Sequence, residues 1–220
     1  MYFTKISCTF ALDKHKMLNN KRKESNNKRK ESNNKHKESN NNIKSQNNIK
    51  TMEQIKNDQL TLEISPMGAE LQSIKDADGN EYLWDGDEKY WNRHSPILFP
   101  IVCGLWKDTY RIDGKEYTLP RHGFARDTEF KLVGKTADRL TFALISNEET
   151  LKNYPYHFNL AISYRLEGNE IHVIWHVENT DTKEIMFQIG GHPAFMVPGC
   201  KKGEPMHATL KLDNEAPVRL

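Results

Sequence analysis

Between Phe158 and Val177 apolar and polar residues alternate with hardly a break, and that pattern commits the chain to antiparallel sheet. Phe158, Leu160, Ile162, Tyr164 and Leu166 are separated by Asn159, Ala161, Ser163 and Arg165. After Glu167-Gly168-Asn169 the alternation resumes at Ile171, Val173, Trp175 and Val177. A period of two places each set on its own face of a strand. Two such runs joined by a short Gly-Asn turn predict a β-hairpin with one buried face. Leu60, Leu62 and Ile64 repeat the pattern, as do Leu140, Phe142 and Leu144. Ile185, Phe187 and Ile189 predict a further strand running into Gly190-Gly191-His192-Pro193, where proline ends regular pairing. Turns are predicted at Asp78-Gly79-Asn80 and Asp113-Gly114-Lys115. No long stretch has helical periodicity, so the expected fold class is all-β, an antiparallel β-sandwich.

The first 51 residues have a different physical character. They hold 13 Lys/Arg and 4 Asp/Glu, a net of +9; from chain totals of 32 and 30 this leaves 19 and 26 for residues 52–220, a net of −7. Residues 19–39 repeat NNKRKES, NNKRKES and NNKHKES. A seven-residue period invites a coiled coil, but no copy has an apolar residue to form a seam. Such a segment cannot offset its ordering entropy, so 1–51 is expected to be a disordered basic tail and 52–220 the folded domain. The tail lacks interleaved aromatics, and a Glu dilutes the charge of every copy. A solvated tail, or upstream sequence before a start at Met52, therefore fits better than a nucleic-acid-binding arm.

Cys8, Cys103 and Cys200 are odd in number and form no C-x-x-C pair, which points to a reducing, cytoplasmic setting rather than a disulfide framework or a zinc site. No apolar run approaches the roughly 18 residues of a membrane span, so no membrane partner is expected. Ile6–Leu12 is interrupted by Ser7 and Thr9 and lacks a cleavage site, unlike a signal peptide.

Two histidines stand in well-marked segments: His122 in RHGFARD (121–127) and His192 in GGHPAF (190–195). Imidazole is the side chain best suited to move a proton near neutral pH, and adjacent glycine lets a ligand or backbone come close. His172 and His176 share the polar parity of their strand and are expected to face solvent or a groove.

Tyr82-Leu83-Trp84, Tyr90-Trp91, Ser95-Pro96-Ile97-Leu98-Phe99-Pro100, RHGFARD and IGGHPAF occur in the order in which the aldose 1-epimerase (mutarotase) family carries them, and Gly68-Ala69-Glu70-Leu71 fits that family's opening turn. The chain resembles that family over residues 54–198. The resemblance implies a supersandwich of antiparallel strands with an open sugar-binding face, and interconversion of the α and β anomers of a hexose. It gives His192 the role of general acid and sets His122 near the ring oxygen, with no cofactor or metal. It makes the partner a small sugar, free or phosphorylated. Arg121 and Trp91 join as substrate-binding candidates, since indole can stack on a sugar face. Trp84 and Trp106 could stack likewise, although burial in the core is the commoner fate of tryptophan in sheets.

Two departures accompany the resemblance. The family's substrate-binding Arg has no counterpart in Val102–Lys107, where Lys107 offers a point charge instead of a planar fork. The family's base, a glutamate in the final third of the domain, has no match in residues 199–220; Glu204 and Glu215 lack its motif. The chain is thus expected to be truncated at its C-terminus, 52–220 being the N-terminal two-thirds of the domain. This leaves a sugar-binding fragment without turnover as an alternative. Arg126 raises another, a hexose-6-phosphate mutarotase, because guanidinium can grip phosphate with two parallel bonds; its other role would be an ion pair with Asp127 or Glu129.

Overall fold

The computed structural model describes the backbone of residues 3–11 and all of residues 52–198. Twelve strands are present among them: β1 (Phe3–Ala11), β2 (Glu53–Lys56), β3 (Leu60–Ser65), β4 (Glu70–Asp76), β5 (Ile97–Leu98), β6 (Thr109–Ile112), β7 (Lys115–Thr118), β8 (Lys131–Lys135), β9 (Arg139–Ile145), β10 (Phe158–Glu167), β11 (Glu170–Asn179) and β12 (Gly190–Gly191). Helix α1 (Glu148–Asn153) is the one α-helix of the described residues; Asn147 caps it by accepting the Glu149 and Thr150 N–H groups.

The predicted hairpin is β10–β11, in register from Phe158 opposite Asn179 to Glu167 opposite Glu170. It forms the middle of a five-stranded sheet ordered β1-β11-β10-β9-β8, and a second sheet is ordered β2-β3-β4. All pairings between these strands are antiparallel. The two sheets share one core. Leu60, Leu62, Ile64 and Ile74 from the small sheet pack with Leu140, Phe142, Phe158, Leu160, Ile162 and Ile171 from the large one. Alternation thus set the inward faces, as expected of a sandwich. The predicted turn at Asp113-Gly114 joins β6 to β7, with both residues at positive φ (50° and 77°), as a two-residue hairpin turn requires.

A buried hydrogen bond helps tie the sheets together. The buried Tyr164 hydroxyl, on β10, donates to the Ala69 carbonyl at 2.7 Å. Burial first, and then the charge of Glu70, push this phenol's pKa well up, so it stays a donor. Tyr164→Phe should cost about 1–2 kcal/mol by leaving the carbonyl unsatisfied. Urea unfolding checks this, and an unchanged midpoint would show that the bond adds nothing.

Two expectations change. Residues 3–11, assigned to the disordered tail, form β1 along the free edge of β11, Phe3 opposite Glu178 and Ala11 opposite Glu170. The local alternation of Ile6, Cys8 and Phe10 suits a strand. The heptapeptide repeats lie outside the described residues, as do Glu204 and Glu215. Residues 185–189 form no strand. Gln188 donates its N–H to the Pro100 carbonyl at 2.8 Å, while Pro100 has no N–H to return, so the ladder begins only at Gly190.

Candidate active site

A short apolar segment organises the site. Ser95–Pro100 is buried throughout, which explains why it shows no period-two pattern. Its strand β5 pairs with β12, Gly190 opposite Leu98 and Gly191 opposite Ile97. The next residue, Phe99, makes a parallel bridge to Gly123. Both histidine loops therefore hang from this one segment.

His192 follows β12 directly. Its N–H donates to the Pro96 carbonyl at 3.0 Å, and the Ala194 N–H to the His94 carbonyl at 2.9 Å. Gly191 lies flat on Trp175 of β11, where an added Cβ would sit 3.0 Å from Cζ2. The side chain of His192 is left exposed.

His122 is held by both its backbone and its ring. Its N–H donates to the Cys103 carbonyl at 2.8 Å, and the Cys103 N–H donates back to its Nδ1 at 3.0 Å. It sits at φ 70°, and Phe99 supports the loop by accepting the N–H groups of Phe124 and Ala125, each at 3.1 Å.

The two imidazole centroids are 6.2 Å apart, and the Trp91 ring lies 5.1 Å from His192. Trp91 is fixed in turn, its carbonyl accepting from Trp84 Nε1 at 2.8 Å. Asp127 joins the loops, receiving Arg93 from one and Arg126 from the other.

These contacts settle which nitrogen of His122 carries the proton. Nδ1 accepts from a peptide N–H, so the neutral ring holds its proton on Nε2. Burial is the largest influence lowering the His122 pKa below its ordinary 6.5, and the charges of Arg126, Arg121 and His192 act in the same direction. As pH falls below 6.5 the unfolded chain gains a proton here before the native state does. The fold thus loses stability across that window and gains nothing from it above. Nitrogen-15 NMR should find the proton on Nε2 and a titration midpoint below 6.5; a proton on Nδ1 at neutral pH would sink this assignment.

The sequence candidates separate accordingly. His122, His192 and Trp91 are brought together. Arg121 is exposed beside them, its Cγ 4.0 Å from where a Cβ on Gly104 would stand. Arg126 is engaged internally: Nη2 donates to the Arg121 carbonyl at 2.8 Å, and Nε lies 3.5 Å from Asp127. Lys107 is exposed at φ 55° on a turn after Cys103 and makes no hydrogen bond or ion pair with either histidine among the described residues. Of the tryptophans, Trp84 and Trp91 are half-buried and Trp106 is 85% exposed. Sequence reasoning missed the supporting role of Trp175, whose indole reads as one more inward residue of an alternating strand.

Known proteins resemble the chain in sequence and in fold. The sequence model of the aldose 1-epimerase family matches residues 52–216. The chromosomal protein LacX of Lactococcus lactis is 42% identical over 151 residues, which are 66% of this chain and 50% of that protein. A putative glucose-6-phosphate 1-epimerase of Escherichia coli K12 is 29% identical over 153 residues, 66% of this chain and 51% of its own. The crystal structure of a galactose mutarotase related enzyme from Lactobacillus acidophilus superposes with a TM-score of 0.68 at 39% identity, covering 70% of this chain and 52% of that one. The chain thus spans about half the length of the curated relatives it matches. Among the described residues no helix is long and apolar enough to cross a membrane.

Proposed function

The chain belongs to the aldose 1-epimerase family, and from that premise we propose that residues 52–198 carry the acid side of a hexose mutarotase site. In this reading His192 gives a proton to the ring oxygen while a base takes the proton of the anomeric hydroxyl. The bond from C1 to the ring oxygen breaks and C1 becomes a carbonyl. Rotation about C1–C2 and reclosure on the other face yield the second anomer, the ring-oxygen proton returning to His192 and the base returning its proton to the anomeric oxygen. His122, neutral with its proton on Nε2, donates a hydrogen bond that orients the ring oxygen, and Trp91 covers an apolar sugar face. The accepting carboxylate comes from outside the described residues.

The observation that carries the reading is the pair of imidazoles 6.2 Å apart, beside an indole, at the open end of the β5–β12 ladder. General acid catalysis suits imidazole because its ordinary pKa lies close to neutral pH. The exposed thiol of Cys103 fits the reducing, cytoplasmic setting. Polarimetry of a freshly dissolved single anomer, with the full chain folded, tests the reading. A rate equal to the buffer blank overturns catalysis by this chain, and sugar binding at that blank rate identifies a binding protein without turnover.

A phosphorylated sugar is the second reading, favoured by the exposed Arg121 beside His122 and by the likeness to the putative glucose-6-phosphate 1-epimerase. Arg126 would act there through Arg121, whose carbonyl accepts its Nη2, rather than by gripping phosphate itself, since its guanidinium is held toward Arg121 and Asp127. Equal affinity for glucose and glucose 6-phosphate removes both arginines from that role.

A further inference from the structure

Glu70 opens β4 and is only 6% exposed, yet no cation pairs with it among the described residues. Burying a carboxylate is costly unless its hydrogen-bonding needs are met. Here one oxygen, Oε1, accepts two consecutive peptide N–H groups, from His94 at 2.8 Å and from Ser95 at 2.9 Å. Two such bonds from adjacent peptides fix both the position and the direction of the chain. The same stretch offers its carbonyls the other way. His94 and Pro96 accept the N–H groups of Ala194 and His192, on either side of the His192 side chain. The carboxylate's hold and these bonds all fall within three consecutive residues, His94–Pro96.

We propose that Glu70 is the positioning residue for His192: through the main chain of His94–Pro96 it sets where that imidazole stands. Glu70 touches neither the sugar nor the reacting proton. Its part in the rate rests on the mutarotase reading above, whereas its part in the geometry does not.

Reach should therefore matter more than charge. Glu70→Gln keeps the length and an acceptor oxygen; Glu70→Asp keeps the charge but withdraws it by one methylene. Leu62→Ala, on β3, serves as a control that weakens the same sandwich without touching residues 94–96. Each full-length variant is followed by the ring resonances of His192 in proton–carbon NMR, and by kcat and KM for anomer exchange. Glu70→Gln should resemble the parent in both. Glu70→Asp should displace the His192 resonances and lower kcat about 10–100-fold, with a smaller change in KM, as a slightly misplaced catalytic group does. Leu62→Ala should lower the melting temperature and leave the His192 resonances alone. The proposal is overturned if Glu70→Asp leaves them in place, if Glu70→Gln disturbs them as much as Glu70→Asp, or if Leu62→Ala disturbs them equally. Should the parent chain show no anomer exchange, the mutarotase reading fails and the resonances alone decide the role of Glu70.

Discussion

His192→Gln is expected to reduce the accelerated part of anomer exchange about 10²–10⁴-fold, the usual contribution of a positioned general acid. The loss should be nearly all chemical. The His192 side chain is exposed, and both bonds that hold its loop are made by main-chain N–H groups that glutamine retains. The stability change should therefore stay within about 0.5 kcal/mol, as for surface substitutions in general. Glutamine can still donate a hydrogen bond but cannot release a proton near neutral pH, so it separates binding from proton transfer. Polarimetry gives the rate and thermal unfolding the stability. A variant with full rate makes His192 an ordinary loop-end histidine; a variant that loses rate and fold together returns the result to structure.

The second large effect is on stability. Gly123→Ala should cost about 3–5 kcal/mol, from left-handed backbone strain together with overpacking. Gly123 lies at φ 71°, and a Cβ there would stand 2.2 Å from the Phe99 carbonyl oxygen and 2.7 Å from Pro100 Cδ. The oxygen belongs to a backbone that cannot withdraw. Phe99 is fully buried, with its ring centroid 5.1 Å from Phe158 and 5.9 Å from Tyr154, and its carbonyl already accepts two N–H groups. Against a total stability of about 5–15 kcal/mol, a loss of this size can unfold a domain. Gly79→Ala is the matched control. It shares the positive φ, at 81°, but has nothing within 4 Å, so only the strain applies, about 1 kcal/mol. Equal urea midpoints for the two variants would mean that crowding at Phe99 contributes nothing.

Legibility in the sequence followed the physics that each region obeys. The β10–β11 hairpin could be read residue by residue because one face is buried and the other is wet, which writes period two into the chain. Ser95–Pro100 is buried on every side, so its pairing with Gly190–Gly191 left no alternation to read. The run at Ile185–Ile189 does alternate, but a strand needs a partner able to answer it, and Pro100 cannot. At the N-terminus, the repeats at 19–39 dominate the composition and hide nine residues with local strand character. The pairing of His122 with His192, 70 positions apart, was reached through motif resemblance. Nothing in local pattern announces that Phe99 and Gly123 meet. The internal engagement of Arg126, the left-handed turn at Lys107 and the two bonds to Glu70 depend on three-dimensional closure, which spacing along a chain does not encode.

The bonds that hold His122 and His192 have a consequence for how such a site can vary over time. Cys103 contributes its peptide groups, Pro96 and His94 contribute carbonyls, and none of these contacts calls on a side chain of the residue that supplies it. The shape of the loops is thus inherited separately from their lettering. Mutational drift at the supplying positions can change what lines the rim, and with it which sugar is welcomed, while the spacing of the two imidazoles persists. The constraint falls on conformation instead: position 103, at φ 68°, admits new side chains only at the ordinary cost of left-handed backbone.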